Sequence, residues 1–115
     1  MVAEINEGWL CIYKPLNITS SKVVQKIKKK FNIKKIGHAG TLDPKAKGVL
    51  PIAIGDATKL MSYVVNKKKL YKFSIKWGEQ TTTDDREGKI IFFSKKIPKK
   101  REIDDSLFKF IGLVD

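Results

Sequence analysis

Between Gly37 and Gly48 lie one acid, Asp43, and the only histidine of the chain, His38. Gly37, Gly40 and Gly48 open backbone conformations closed to other residues and let a substrate approach the main chain. The surroundings of the two side chains exclude several chemistries. No second carboxylate stands nearby for paired acid and base work on a glycosidic bond. No Cys/His cluster offers metal ligands, and the glycines match neither a P-loop nor a dinucleotide fingerprint. Asp43-Pro44 is also an ordinary turn signal, and a lone histidine is more often structural than catalytic. Taken locally, the structural reading is the simpler one. The order of residues over a longer window decides against it.

Periodicity shows the elements that must carry this loop. Gly8 to Tyr13 reads as a strand, stopped by Lys14-Pro15 because proline cannot donate to a ladder. Thr19-Ser20-Ser21 supplies N-cap candidates for a helix over about 21–31, with Val23, Val24, Ile27 and Phe31 on one face. Ile33 to Ile36 suits a short strand leading into the glycine-rich loop. Val49 to Gly55 reads as a buried strand that Pro51 assigns to an edge or a bulge. Asp56 suits the cap of a helix over about 57–65. From Leu70 to Trp77 the residues alternate, with Tyr71, Phe73, Ile75 and Trp77 facing one way, which predicts a half-buried antiparallel strand. The polar segment Gly78 to Gly88 links it to a strand over 89–94. After the basic loop 95–101, a short helix starts near Asp104 with Leu107, Phe108 and Ile111 as its stripe. The class is α+β, a mainly antiparallel sheet with flanking helices.

The bulk numbers bound this picture. A chain of 115 residues suits one domain, over residues 1–115. With 42% hydrophobic and 31% charged residues, it is globular rather than disordered. No apolar run approaches a membrane span, and MVAEINEGWL has neither the basic nor the apolar region of a signal peptide. Cys11, the single cysteine, reads as a small buried strand residue and points to a reducing, cytoplasmic setting. The net charge of +12 is the footprint of a nucleic-acid binder. An AT-rich coding sequence would also load a chain with Lys, Ile and Asn, and only Arg86 and Arg101 among the 24 basic residues are arginine. The lysine surplus is nevertheless unmatched by acids, of which there are 12. The clusters Lys28-Lys29-Lys30, Lys34-Lys35 and Lys67-Lys68-Lys69 read equally as solvated faces or as phosphate contacts.

Four blocks in order resemble the TruB and dyskerin-type pseudouridine synthases. They are Gly8-Trp9-Leu10 through Lys14-Pro15 to Thr19-Ser20; GHAGTLDPKAKGVLPIAI from Gly37 to Ile54; Gly55-Asp56-Ala57-Thr58-Lys59 running to Leu70-Tyr71; and the segment Gly78 to Gly88. One departure stands out: Asn17 occupies a position that is usually glycine in the family. Asparagine tolerates the left-handed backbone better than other non-glycine residues. The resemblance implies the first half of a pseudouridine synthase catalytic domain. It also implies an isomerisation of uridine in RNA, the T-loop uridine of tRNA if the TruB branch applies. The N-glycosidic bond breaks, the base turns, and a ring carbon rejoins the sugar, with neither cofactor nor metal.

Residue by residue, the resemblance maps the essential aspartate onto Asp43, as nucleophile or as base. The active-site tyrosine maps onto Tyr71 and lies against the target base. The histidine that supports a flipped-out nucleotide maps onto His38. Lys14, Pro15, Thr82 and Asp85 match scaffold or cleft-wall positions. A cationic partner keeps such a carboxylate ionised when it is buried. The family's partner is an arginine of the second half; neither Arg86 nor Arg101 matches its motif. Family members continue well past this length, usually into a further RNA-binding module. The apolar ending from Phe108 to Asp115 therefore reads as a truncation. Met1 lies only seven residues before Gly8, which favours the stand-alone tRNA enzyme, with no obligatory protein partner, over the guide-dependent branch. Three hypotheses follow: an RNA-modifying enzyme or its N-terminal half, a non-catalytic RNA-binding or tRNA-folding module, and a decaying fragment. Retention of Asp43, His38 and Tyr71 together argues against decay.

Overall fold

The computed structural model describes residues 4–113. Met1–Ala3, at the start of the stretch read for a signal peptide, and Val114–Asp115, at the end of the apolar C-terminal run, lie outside the described residues. The chain divides into two compact units, one within residues 1–70 and one within residues 71–115.

The first unit is built on three antiparallel strands: β1 (Gly8–Lys14), β2 (Ile36–His38) and β3 (Gly48–Ile54), in the order β1-β3-β2. Leu50, Ile52 and Ile54 point to one face and are buried there with Val23 and Ile33. Such burial contributes roughly 1.5–3 kcal/mol for each large side chain. Leu10 and Ile12 join them from β1, as the paired registers Leu10↔Ile52 and Ile12↔Leu50 require. Helix α1 (Ser20–Lys30) covers this face with Val23, Val24 and Ile27, while Phe31 packs just beyond its end. Thr19 is its cap, accepting the Lys22 N–H at 3.1 Å.

Pro51 sits in the central strand, not at an edge or bulge as its chemistry suggested. Its backbone faces β2, where the Ala39 N–H donates to the Pro51 carbonyl at 2.8 Å. Ala39 lies just past the end of β2, so the missing proline donor falls where the ladder stops. Strand β2 itself lies later than the predicted 33–36, which draws Gly37 and His38 out of the loop and into the sheet. Cys11 is exposed, on the face of β1 opposite the core with Trp9 and Tyr13. Period-two alternation puts it there, because its neighbours Leu10 and Ile12 take the inward positions.

After β3 the chain turns sharply at Gly55, whose φ of 64° favours glycine and where a Cβ would lie 2.5 Å from the Asn6 carbonyl oxygen. The predicted helix over 57–65 is a 3-10 turn (Gly55–Leu60) followed by the short helix α2 (Met61–Val65). Asp56 does not cap it. Its carboxylate pairs with Lys59 at 2.9 Å, while the Thr58 hydroxyl donates to the Gly55 carbonyl at 2.8 Å.

The second unit holds a two-stranded hairpin, β4 (Glu79–Thr81) and β5 (Ile90–Phe93), and helix α3 (Lys100–Leu107). Strand β4 lies in the segment read as a link. A bulge between Gln80 and Thr81 interrupts its register. The predicted strand from Leu70 to Trp77 is absent: no strand among the described residues pairs with it. Alternation prepares a strand, but a ladder needs a neighbour's N–H and C=O groups. On the predicted inward face Tyr71 and Phe73 are 65% and 76% exposed, while Ile75 and Trp77 line a pocket with Ile103 and Leu107 of α3. Helix α3 begins earlier than Asp104 because the Glu102 carboxylate accepts the Lys99 N–H at 2.7 Å, fixing the first turn. Leu107, Phe108 and Ile111, its expected apolar stripe, are exposed.

The turn between β4 and β5 is held by Asp85. Its carboxylate accepts from the Thr83 hydroxyl at 2.6 Å and from the Glu87 N–H at 2.8 Å. These bonds favour the charged form and hold the carboxyl below its ordinary value of 3.8. A depressed folded-state value means that the order is complete above the ordinary range and is lost as pH falls through the folded value. The Glu87 amide resonance is therefore expected to stay constant above about pH 5 and to titrate with a midpoint below 3.8. A midpoint at or above that value would contradict the bonding. In the first unit, Lys14 is 0% exposed and its Nζ donates to the Pro15 and Ile18 carbonyls, both at 2.8 Å. Lys14→Met removes both part-buried hydrogen bonds, so urea denaturation is expected to show a loss of about 1–2 kcal/mol.

Candidate active site

Loop 39–47 joins β2 to β3 and is fixed at both ends by ladders, at His38 by pairing with Ile52 and at Gly48 by pairing with Lys14 of β1. Asp43 stands in the middle of the loop with an exposed side chain. Its backbone carbonyl accepts the Ala46 N–H at 2.9 Å, the turn that Asp43-Pro44 predicted. Among the described residues its carboxylate forms no ion pair. Arg101, one of the two arginines, lies 3.9 Å from Asp105 on the surface of α3.

The residues around Asp43 are held from the other side of the unit. The Ser20 hydroxyl, at the first residue of α1, accepts the Leu42 N–H at 2.9 Å and donates to the Leu42 carbonyl at 3.0 Å. The Asn17 N–H donates to the Pro44 carbonyl at 2.6 Å, and Lys45 Nζ donates to the Asn17 side-chain oxygen at 2.9 Å. Asn17 has a φ of 64°, the left-handed conformation expected where glycine is usual. Its side chain then adds a contact that glycine cannot make. Sequence reasoning treated Ser20 only as a possible cap. Thr19 takes that role, and the neighbouring hydroxyl of a Thr-Ser pair is thereby free for another partner.

His38 ends β2, half-buried on the core side of the sheet, opposite Ile52. Its Nδ1 lies 2.6 Å from the Gly40 carbonyl oxygen. A carbonyl only accepts, so Nδ1 carries a proton there and Nε2 is left free to accept in the neutral ring. Gly40 has a φ of 104°, which turns this carbonyl back toward the ring. A Cβ on Gly40 would meet Lys69 Cε at 3.9 Å, so the last lysine of the 67–69 cluster runs beside the loop. Lys69 Nζ itself donates to the Val65 carbonyl.

Tyr71, the third expected site residue, opens the second unit and is exposed. Asp43 and His38 belong to the first unit, His38 at the end of β2 and Asp43 in the loop that follows it. Thr82 and Asp85 support the hairpin turn: the Thr82 hydroxyl accepts the Lys89 N–H at 3.2 Å. Lys14 supports the loop that leads to α1. No group of three or more His, Cys, Asp or Glu side chains is placed to hold a metal ion among the described residues. No helix among them is long and apolar enough to cross a membrane.

Comparison with known proteins places these residues in a family. The tRNA pseudouridine synthase B of Ehrlichia ruminantium is 53% identical over 108 residues, covering 94% of this chain and 36% of that protein. That of Agrobacterium fabrum is 50% identical over 107 residues, covering 93% and 34%. The chain thus spans about a third of the length of the curated relatives it matches. A chain in the structure of an H/ACA RNP bound to a substrate RNA containing 2'-deoxyuridine is 48% identical, with a TM-score of 0.48 over 49% of this chain and 18% of that one. Residues 28–115 match the family model for the N-terminal domain of TruB family pseudouridylate synthases. With three quarters of its length inside that match, the chain belongs to the TruB pseudouridylate synthase family.

Proposed function

We propose that this chain carries the reacting aspartate of a tRNA pseudouridine synthase that isomerises the T-loop uridine in the cytoplasm. The observation that carries the reading is the Gly37–Gly48 segment. It presents Asp43 exposed between backbone contacts at Leu42 and Pro44, while His38, at the end of β2, is held by the Gly40 carbonyl. The named relatives, tRNA pseudouridine synthases of bacteria, support the choice of substrate.

In this reading the target uridine leaves its stack and enters above the loop, at a cost of a few kcal/mol. His38 offers a half-buried ring face against the extruded nucleotide, with its Nδ1 already engaged by Gly40. Asp43 is the anion that starts cleavage of the bond between C1' and N1, by attack on the sugar or by removal of a proton. The freed base turns, its C5 bonds to C1' with release of the Asp43 carboxylate where attack had joined it to the sugar, and the proton lost from C5 is balanced by one gained at N1. Tyr71 lies against the base during these steps and assists that proton transfer. The surplus of lysines, among them Lys69 beside Gly40, supplies phosphate contacts. Atoms balance within the substrate, so the reaction draws on neither cofactor nor metal.

One observation favours a second reading, in which the chain binds or folds tRNA without turnover: the Asp43 carboxylate has no cationic partner among the described residues. Incubation with a T-arm stem-loop, followed by quantification of pseudouridine in the digested RNA, separates the two. The 115-residue chain is expected to bind the stem-loop weakly and to convert little of it. Whatever conversion occurs is expected to fall at least about a thousandfold in Asp43→Asn, with binding retained. Conversion that survives this substitution would remove Asp43 from the mechanism, and binding without any conversion would favour the second reading.

A further inference from the structure

Among the described residues the Asp43 side chain has no ion-pair partner, and its orientation follows from the backbone on either side. Two contacts reach it from a segment more than twenty residues earlier in the chain. On one side the Ser20 hydroxyl, 1% exposed, closes both backbone groups of Leu42, at 2.9 and 3.0 Å. On the other, the Asn17 N–H holds the Pro44 carbonyl at 2.6 Å, and Lys45 bonds back to the Asn17 side chain at 2.9 Å. The donor segment is itself anchored. Lys14 ties down the Pro15 and Ile18 carbonyls, Thr19 caps α1, and Ser20 is the first residue of that helix.

We propose that Ser20 is a positioning residue for Asp43: its buried hydroxyl clamps Leu42 while Asn17 clamps Pro44, so the direction of the Asp43 side chain is set by α1 and the loop before it. Ser20 satisfies no helix-capping need, since Thr19 meets it. A hydroxyl that gives and takes a hydrogen bond with one residue restrains translation and rotation there together. The Asn17–Lys45 contact is particular to a chain with asparagine at this left-handed position and reinforces the second clamp. Precise placement matters because a displacement of about 1 Å at a reacting group costs on the order of a hundredfold in rate. The inference rests on the reading of Asp43 as the reacting carboxylate, but the restraint itself can be measured without turnover.

The test is NMR relaxation and amide exchange on the whole chain, comparing wild type with Ser20→Ala and Asn17→Gly. In wild type the Asp43 amide is expected to show an order parameter near that of rigid backbone, about 0.85, falling below about 0.6 in Ser20→Ala. Exchange at the Ala46 and Asn17 amides, which do not touch Ser20, is expected to accelerate about tenfold, while the Ile52 and Ile54 amides of β3 keep their protection. Asn17→Gly, exposed and compatible with the same φ, is expected to accelerate Ala46 severalfold. A change confined to Leu42 would overturn the proposal, because the bond would then be local. Equal loss in loop and core would overturn it too, by making Ser20 a general stability residue. If the stiffness pattern holds but Asp43→Asn leaves conversion intact, the clamp stands and the catalytic reading of Asp43 fails.

Discussion

Leu50, Ile52 and Ile54 belong to a strand that is paired on both sides, and that double pairing fixes the rest of the first unit. Because β3 is central, its inward side chains must be apolar and its backbone groups must all find partners. Pairing with β2 reaches only from Ile52 to Ile54, while Gly48 pairs with Lys14 of β1, so the residues between β2 and β3 run from one ladder to the other. The loop that carries Asp43 is therefore a connection within the sheet rather than a free excursion. Strand β1, on the other side, delivers Lys14 and the start of α1 to the same end of the sheet, since Lys14 pairs with Gly48, the first residue of β3. One strand order thus brings together the two segments that meet around Asp43.

Burial separates the supporting groups from the presenting ones. Lys14 and Ser20 are the two buried polar residues among those described, and both spend their hydrogen-bonding capacity on backbone atoms. Asp43 and Asn17 are exposed. An interior hydrogen bond is costly to leave unmade, so the buried pair supplies rigidity. An exposed carboxylate keeps the solvation it has in the unfolded chain. Such an arrangement costs little stability in the free chain and leaves the anion available.

The second unit rests on weaker physics. Its hairpin is held by a polar turn around Asp85 and by backbone bonds at both ends, Ser94 to Gly78 and Thr82 to Lys89. Ile90, Ile91, Phe92 and Phe93 are all exposed, so its strands gain little from burial. Two-stranded hairpins are marginal on their own in water. Local hydrogen bonding, rather than a core, defines this unit among the described residues.

The sequence by itself determined the α+β class, strands β1 and β3, helix α1 with a cap among Thr19, Ser20 and Ser21, and the glycine-rich loop, because each depends on local periodicity, turn chemistry or capping. It also determined the family, through the order of GHAGTLDP, its flanking blocks and the tolerated Asn17. Only the tertiary structure decided the place of β3 at the centre despite Pro51, since that depends on which neighbour ends where. It alone turned Cys11 outward and left Leu70 to Trp77 without a ladder, because a pattern of alternation carries no information about the partner strand. Likewise it alone joined Ser20 to Leu42 and Asn17 to Pro44. Those contacts span more than twenty residues and depend on sheet topology, which no local pattern encodes.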